Sequence, residues 1–310
     1  MEECFNFDKN DVPDIKNIIR NISLVLVNSH YTIGYIKPEL PNVVNIAGLH
    51  QPSLEPLREE MKTFIDGAKH GIIYFSMGSI IEPSDFIELG NTFIQELKNF
   101  PQRVVMKWNP ELLNEIPDNI LVEKWISQTQ VLDHPNCRLF ITHGGFHSTL
   151  ESINASVPLL GIPMFTDQYY NMAAAEHFGI GRMIPFKEVS VRLSAEIKEI
   201  LNNPEYKENI MKRSQLFRDR LVEPLDEAMY WVRHILKHKT STHLKPAAVH
   251  LTWYEFYAVD VLLILLAVIL LTLLAMKLLV VWILRSFHSK FKKLYTRVNH
   301  KPQRKDYKDD

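Results

Sequence analysis

Three polar clusters, each directly after a short apolar segment, carry the residue types that bind phosphorylated ligands. They are SMGS at residues 76–79, WISQ at residues 125–128 and THGG at residues 142–145. Gly144-Gly145 is the only adjacent pair among the 11 glycines. Glycine lets the backbone approach an anion, and the N–H groups at a helix N-terminus favour negative charge. With His143 and Ser148 as added donors, the third cluster predicts a phosphate site. A strand-to-helix turn that uses glycine for steric reasons alone is the alternative.

Several other kinds of site are excluded by the sequence. There is no G-x-G-x-x-G pattern for a dinucleotide and no G-K-[ST] pattern for a P-loop. The two cysteines, Cys4 and Cys137, cannot form a disulfide framework, and no Cys/His spacing indicates zinc. We therefore expect no metal and no bound cofactor.

Alternating strands and helices are predicted to position the three clusters. The strands are residues 71–77, 103–108, 120–123, 138–142 and 157–162, and the helices are residues 84–98, 145–155, 168–178, 192–202, 205–219 and 224–237. This alternation predicts an α/β fold with a Rossmann-like, doubly wound parallel sheet. Such sheets bind ligands beyond the carboxyl ends of their strands, where the three clusters lie.

A membrane span is predicted near the C-terminus. Residues 261–284 contain only Thr272 and Lys277 as polar side chains, and at about 1.5 Å per residue they suffice for a hydrocarbon core of about 30 Å. A buried core helix is the alternative. Aromatic residues precede the run between Trp253 and Tyr257, as in an interfacial belt.

The charge distribution orients the predicted span. Residues 285–310 hold nine Lys/Arg and three Asp, a net charge of +6, so residues 1–284 carry −7 of the total −1. The basic tail is therefore expected in the cytoplasm and the preceding domain in a lumen or outside. A basic excess on a tail rather than on a folded face argues against nucleic-acid binding.

The two ends of the chain carry further signals. Residues 1–17 have no basic or apolar segment of a signal peptide, so we expect the natural N-terminus to be missing or the topology to be unusual. DYKDD at residues 306–310 resembles the start of an expression tag. Asn21 and Asn154 lie in glycosylation acceptor patterns, and we expect Asn154 to be unused because it lies inside the donor motif.

The spacing from Trp125 to Gln168 resembles the signature of the UDP-glycosyltransferases, enzymes of the GT-B fold that include glucuronosyltransferases. The pattern comprises W-x2-Q, LFITHGG, Ser148, Ser152-Ile153, Pro158, Pro163 and Asp167-Gln168. The similarity extends to FSMGS at residues 75–79, to residues 223–238 and to the membrane junction, and thus covers residues 23–285. Membrane-anchored animal enzymes of arthropod type are the nearest kind.

The resemblance implies a donor-binding site with distinct roles. Trp125 stacks on uracil and Gln128 bonds the base or ribose. The diphosphate lies against Thr142, His143, Gly144, Gly145 and Ser148, with Ser79 across the crevice. Glu151 accepts hydrogen bonds from the ribose hydroxyls. Asp167 and Gln168 bind the transferred sugar. Read without the resemblance, Trp125 is a core aromatic and Glu151 a solvated charge. Lys107 stands where the family often has Arg, and His147 where many relatives have Asn.

The resemblance also implies what lies outside this sequence. The family's catalytic His belongs to an N-terminal acceptor domain, and no histidine here matches it, so no residue is predicted to be catalytic. We expect a transferase half that moves glucose or glucuronate from a UDP-sugar to a small lipophilic acceptor. The alternative is an inactive, membrane-anchored UDP-sugar-binding fragment that pairs with full-length enzymes.

The expected organisation follows from these points. It consists of an interdomain segment (residues 1–50), a donor-binding domain (51–240), a linker (241–257), a transmembrane helix (258–284) and a basic tail (285–310). The resemblance implies a single-pass protein of the endoplasmic reticulum with a luminal domain, a role in detoxification and possible homo- or hetero-oligomers.

Overall fold

The computed structural model describes residues 14–34, 36–50, 56–79 and 83–299. Its chain divides between Lys245 and Pro246 into two compact units. Cys4, most of the segment searched for a signal peptide and the tag-like residues 306–310 lie outside the described residues. The predicted domain boundaries stay predictions.

A parallel sheet forms the centre of the first unit. The described strands are β1 (Val25–Val27), β2 (Val43–Asn45), β3 (Ile72–Ser76), β4 (Arg103–Lys107), β5 (Ile120–Glu123), β6 (Cys137–Thr142), β7 (Leu159–Gly161) and β8 (Gly181–Met183). Among the described residues, six strands pair in parallel in the order β5-β4-β3-β6-β7-β8, whereas β1 and β2 form a separate parallel pair. This order confirms the predicted doubly wound α/β sheet. The chain adds β4 and β5 on one side of β3 and then returns to add β6, β7 and β8 on the other side. The strand order therefore switches between β3 and β6, and such sheets bind ligands at this topological switch point.

The central strands are mostly apolar because both faces of the sheet are covered. All five residues of β3 are buried. Ile72 and Tyr74 join one hydrophobic core, where the Tyr74 ring stacks on Phe140 at 4.9 Å between centroids. Ile73 and Phe75 point the other way into a second core. The alternation of side chains along a strand thus divides one apolar run between two cores.

Among the described residues the first unit has nine α-helices, several of which bury apolar residues in the two cores beside the sheet. They are α1 (Ile15–Arg20), α2 (Glu59–Asp66), α3 (Ile87–Leu97), α4 (Gln128–Leu132), α5 (Phe146–Asn154), α6 (Asp167–His177), α7 (Val189–Asn202), α8 (Pro204–Arg218) and α9 (Pro224–His238). The first predicted helix was placed from residue 84, but Pro83–Phe86 is a 3-10 turn and the α-helix begins at Ile87. The other predicted helices are found within three residues of their expected ends.

The second unit consists mainly of one long helix. A short helix, α10 (Trp253–Phe256), precedes α11 (Val259–Asn299), which has 41 residues and is apolar enough over its first part to cross a membrane. No part of its 18-residue apolar window is buried, so the alternative of a buried core helix is wrong. The helix continues past residue 284 because no Gly or Pro interrupts residues 259–299, and Lys and Arg are good helix formers.

The segment that follows β1 is attached to α8. His30 is buried, its Nδ1 lies 2.8 Å from Thr32 Oγ1, and its ring meets Phe217 edge-on at 5.0 Å. Arg213 donates to the carbonyl of Thr32. These contacts hold the segment after β1 against α8.

Burial, with the nearby charge of Arg220, lowers the pKa of His30 to about 4. The unfolded chain takes up this proton near pH 6.5. The contribution of His30 to the free energy of unfolding is therefore complete above about pH 6.5 and is lost as the pH falls toward 4. We predict that His30→Asn, which keeps an acceptor at the Nδ1 position, flattens this pH dependence in urea titrations of the full chain in detergent. The exposed His70→Asn is the control, and an unchanged slope in His30→Asn contradicts the assignment.

Candidate functional site

The two strands at the topological switch point, β3 and β6, end in the same way. Ser76 of β3 and Thr142 of β6 are paired in register. The Ser76 hydroxyl accepts from the N–H of Gly78 at 3.3 Å, and the Thr142 hydroxyl accepts from the N–H of Gly144 at 3.3 Å. Gly78 and Gly144 have φ of 82° and 83°, a region that side chains with a Cβ rarely adopt. The two turns therefore bring both strand ends to the edge of one crevice.

The imidazole of His143 lies in the space that two glycines leave between these strand ends. A Cβ atom at Gly78 would lie 2.6 Å from its Cε1, and a Cβ at Gly145 would lie under 3.0 Å from its Nε2. The side chain is 8% exposed. Burial and the charge of Lys107 lower the pKa of His143, while Asp167 opposes this shift. The ring is therefore neutral near pH 7 and can donate one N–H.

Helix α5 begins directly after this imidazole. Its N-cap is Gly145, and no side chain from the described residues caps it. The N–H groups of its first turn and its dipole therefore point into the crevice, where they favour an anion. Ser148, in that first turn, is buried with its hydroxyl inside the site.

A hydrogen-bonded group connects Ser148 to two other predicted donor contacts. The Gln128 Nε2 atom donates to Ser148 Oγ at 3.1 Å and to Glu151 Oε2 at 2.8 Å. The hydroxyl of the fully buried Tyr74 lies 3.5 Å from Gln128 Oε1. Glu151 is therefore held in a network, and the alternative of a solvated charge is wrong.

Two histidines extend the same network. The Nε2 atom of His50 is 3.5 Å from Glu151 Oε1, and the His50 ring lies 4.4 Å from the ring of His147. His147 thus contacts another imidazole at the position where relatives of the resembled family often have Asn. Nothing in the local sequence around His50 indicates this contact.

Trp125 lies at a pocket on the other side of the strand ends. Its side chain is 72% exposed, so the alternative of a core aromatic is wrong. The Lys107 ammonium lies 4.5 Å from the centre of the Trp125 ring and donates to the carbonyl of Gly78 at 3.2 Å. Partial burial lowers the pKa of Lys107. The pocket measures about 290 Å³, and its lining includes Gly78, Ser79, Lys107, Lys124 and Trp125.

Asp167 and Gln168, adjacent in sequence, have different surroundings. Asp167 is exposed at the start of α6, after Thr166 with φ of 53°. Gln168 is buried, and its Oε1 accepts from the backbone N–H groups of Met164 at 2.8 Å and Phe165 at 3.2 Å. Gln168 therefore holds the loop before α6, which leaves its amide nitrogen as the group for the predicted sugar contact.

Asn171, which sequence reasoning missed, connects Asp167 to the glycine turn. Its Nδ2 donates to the Gly144 carbonyl at 3.0 Å and to Asp167 Oδ2 at 3.0 Å. Met172 fills the space beside it, because a Cβ at Gly144 would lie 2.5 Å from Met172 Cγ. The four-residue spacing of Asp167 and Asn171 on a helix is the signal that could have revealed this pair.

The structure thus brings the predicted residues together at one edge of the sheet. Ser79 and Trp125 lie at the pocket beside β3, whereas Gln128, Ser148 and Glu151 form the network beside β6. Within the described part of the chain, no group of three His, Cys, Asp or Glu residues is placed to hold a metal ion. The expectations of no metal and no cofactor stay predictions. Neutral donors, a helix N-terminus, a lysine and an exposed indole can together bind an aromatic base joined to a phosphate group.

Comparison with known proteins shows which family has this arrangement. The model of the family "UDP-glucoronosyl and UDP-glucosyl transferase" matches residues 6–294. The UDP-glycosyltransferase UGT4 of Dactylopius coccus is 40% identical over 250 residues, which are 81% of this chain and 50% of that protein. The UDP-glucuronosyltransferase 1A3 of Rattus norvegicus is 36% identical over 259 residues, 83% of this chain and 48% of that protein.

Solved structures agree at the level of the fold. The glycosyltransferase of kitacinnamycin aligns with a TM-score of 0.57 and 20% identity over 71% of this chain and 57% of its own. The calicheamicin glycosyltransferase CalG4 aligns with a TM-score of 0.55 and 18% identity over 69% of this chain and 54% of its own. These neighbours have the GT-B fold, and the chain spans about half the length of the curated relatives it matches. The chain belongs to the UDP-glucuronosyl and UDP-glucosyl transferase family.

Proposed function

We propose that the crevice beyond β3 and β6 binds a UDP-hexose, with glucose or glucuronate as the sugar. The chain then serves as the donor half of a transferase that moves the hexosyl group to the hydroxyl of a small lipophilic acceptor. The observation that carries this proposal is the neutral imidazole of His143 beside the uncapped N-terminus of α5. Both offer N–H donors beside Gly145 without a buried charge.

Each part of the donor has a group of matching chemistry in this proposal. Uracil stacks on the exposed ring of Trp125, and the ribose hydroxyls donate to Glu151. The diphosphate accepts from His143 and from the first turn of α5. As the bond to the sugar breaks, negative charge grows on the UDP leaving group, and donors already aimed at it lower the barrier.

The sugar lies against Asp167 in the proposed complex. The Asp167 carboxylate is exposed at the start of α6, and the Asn171 side chain donates to it at 3.0 Å. Asp167 can therefore accept hydrogen bonds from sugar hydroxyls in a fixed position. Neighbouring Gln168 contributes its amide nitrogen.

A second function has a specific observation in its favour. The described histidines nearest the crevice are already in contact with other groups: His143 lies between two glycines and His50 lies against Glu151 and His147. A membrane-anchored module that binds UDP-sugar and pairs with other transferase chains needs no general base. Sugar transfer to a lipophilic phenol by the purified chain excludes this second function, and UDP-sugar binding without transfer favours it.

We also propose that α11 anchors the chain in the endoplasmic reticulum membrane with the sheet domain in the lumen. The apolar first part of the helix and the basic residues that follow it support this orientation.

The proposed orientation predicts glycosylation of Asn21 and not of Asn154. Asn21 is exposed, whereas the Asn154 side chain accepts from Arg218 at 3.1 Å at the end of α5. In cells that express the chain, endoglycosidase H should shift its mobility by one glycan, and Asn21→Gln should abolish the shift. Asn154→Gln is the control that keeps it. An unglycosylated, membrane-inserted chain contradicts the luminal orientation.

The two ends of the proposed donor site should respond differently to substitution. Trp125→Ala removes the stacking surface, worth about 1–3 kcal/mol per base, and should weaken the binding of UDP and of UDP-glucose to the same extent, by about fivefold to 150-fold. Asp167→Ala should weaken UDP-glucose several-fold and leave UDP unchanged, because only the sugar reaches this carboxylate. Isothermal titration calorimetry of each variant with both ligands measures the difference. Equal losses for both ligands in both variants contradict the assigned roles.

The position of His143 can be tested through Gly145. The added methyl of Gly145→Ala meets the imidazole within 3.0 Å, although the backbone at Gly145, with φ of −60°, accepts alanine. We predict at least a tenfold loss of UDP affinity with a small change in the free energy of unfolding. Gly34→Ala, whose methyl comes no closer than 4.0 Å to Tyr170, is the matched control.

A double-mutant cycle separates this displacement from other effects of the methyl group. In a His143→Ala background the clash is gone, so Gly145→Ala should cost little further UDP affinity. Full additivity of the two losses shows that Gly145→Ala does not act by displacing the imidazole, and an unchanged UDP affinity in His143→Ala alone rejects the imidazole as the diphosphate donor.

A further inference from the structure

The last part of α11 differs from the apolar part before it. At about 1.5 Å per residue, the 24 residues from 261 to 284 account for about 36 Å of helix, which is enough to cross a bilayer. The described helix continues for 15 further residues, or about 22 Å. This extension begins at Arg285, directly after the apolar run, and therefore at the level of the lipid headgroups.

The extension is amphipathic. Arg285, His288, Ser289, Lys292, Lys293 and Thr296 recur at spacings of three and four residues, and they line one continuous surface of the helix. Lys290 borders that basic surface. The opposite side carries the exposed apolar residues Phe287, Phe291, Leu294 and Tyr295. The two faces are separate, because no basic residue interrupts the apolar stripe.

The charges on the basic surface have few partners of opposite sign in the described chain. Residues 285–299 contain no Asp or Glu, and no described ion pair involves Arg285, Lys290, Lys292 or Lys293. Four cations in nine residues at a membrane surface attract anionic groups within a Debye length of about 8–10 Å. The covalent connection to the apolar run keeps them within that distance.

We propose that this surface is a binding site for anionic phospholipid headgroups, with phosphatidylserine as the representative class. The basic side chains bind the phosphate and carboxylate groups, while Phe287 and Phe291 rest against the acyl boundary. The inference depends on the proposed membrane anchor and adds a lipid preference to it. It predicts that the chain gathers anionic lipid around α11 from a mixed bilayer.

The test measures which lipids accompany the full chain. The chain is reconstituted in bilayers of phosphatidylcholine with one-fifth phosphatidylserine, extracted mildly, and the bound lipids are quantified by mass spectrometry. We expect phosphatidylserine to be enriched at least fivefold over its bulk ratio, and the enrichment to fall as salt rises. The triple variant K290Q/K292Q/K293Q should lose most of it, and K290R/K292R/K293R should retain it.

A control of matched charge separates a local site from net charge. K187Q/K198Q/K212Q removes three exposed lysines of the first unit and should leave the enrichment unchanged. Equal enrichment in the wild type and K290Q/K292Q/K293Q overturns the proposal. A second result also overturns the proposal: cross-linking between copies of α11 detects a dimer that depends on the same lysines and forms in place of lipid binding.

Failure of the anchor gives a different result. If the chain does not float with vesicles of phosphatidylcholine alone, the proposed membrane span is wrong. If it floats with them and shows no preference for phosphatidylserine, only the headgroup site is wrong.

Discussion

The site depends on one steric constraint, which is that an imidazole occupies the space between two strand ends. His143 fits there because Gly78 and Gly145 have no Cβ to fill the same volume. The fit fixes the start of α5, since Gly145 is also its N-cap. It equally requires β3 and β6 to end level with one another, and the register of Ser76 with Thr142 ensures this. A larger residue at either glycine therefore displaces the imidazole and moves it away from the other binding groups.

The same constraint explains why the site attracts an anion without burying a full charge. A charged imidazole at this depth would have to be desolvated, and burial accordingly lowers the pKa of His143. The attraction comes instead from N–H dipoles whose directions the fold has already fixed. Lys107 supplies a full positive charge at the half-open rim, where water still screens it. Donors fixed before a ligand arrives need little reorganisation when charge develops on that ligand.

Sequence reasoning succeeded where a local pattern and its physical cause lie in the same segment. The apolar run of β3 indicates a strand buried on both faces, and Gly144 indicates a turn whose φ of 83° favours glycine. It missed β8 because GRM is too short and too polar to read as a strand, and only its pairing with β7 defines it. It could not foresee that Gly78 and His143, 65 positions apart in the chain, share one space. It also could not foresee that the Gln168 carbonyl turns inward to hold backbone N–H groups.

Transfer of a sugar needs one group to accept charge on the leaving side and another to remove a proton on the attacking side. The described crevice suits the first task, because neutral N–H donors of His143 and of the uncapped helix lie side by side at the start of α5. A general base must instead accept a proton, and it works best when its pKa lies near the working pH. Burial moves the pKa of His143 away from that range, which suits a donor to phosphate and not a base. Under the proposed function, His143 therefore serves the leaving side of the reaction, and the proton of the acceptor hydroxyl goes to a different group.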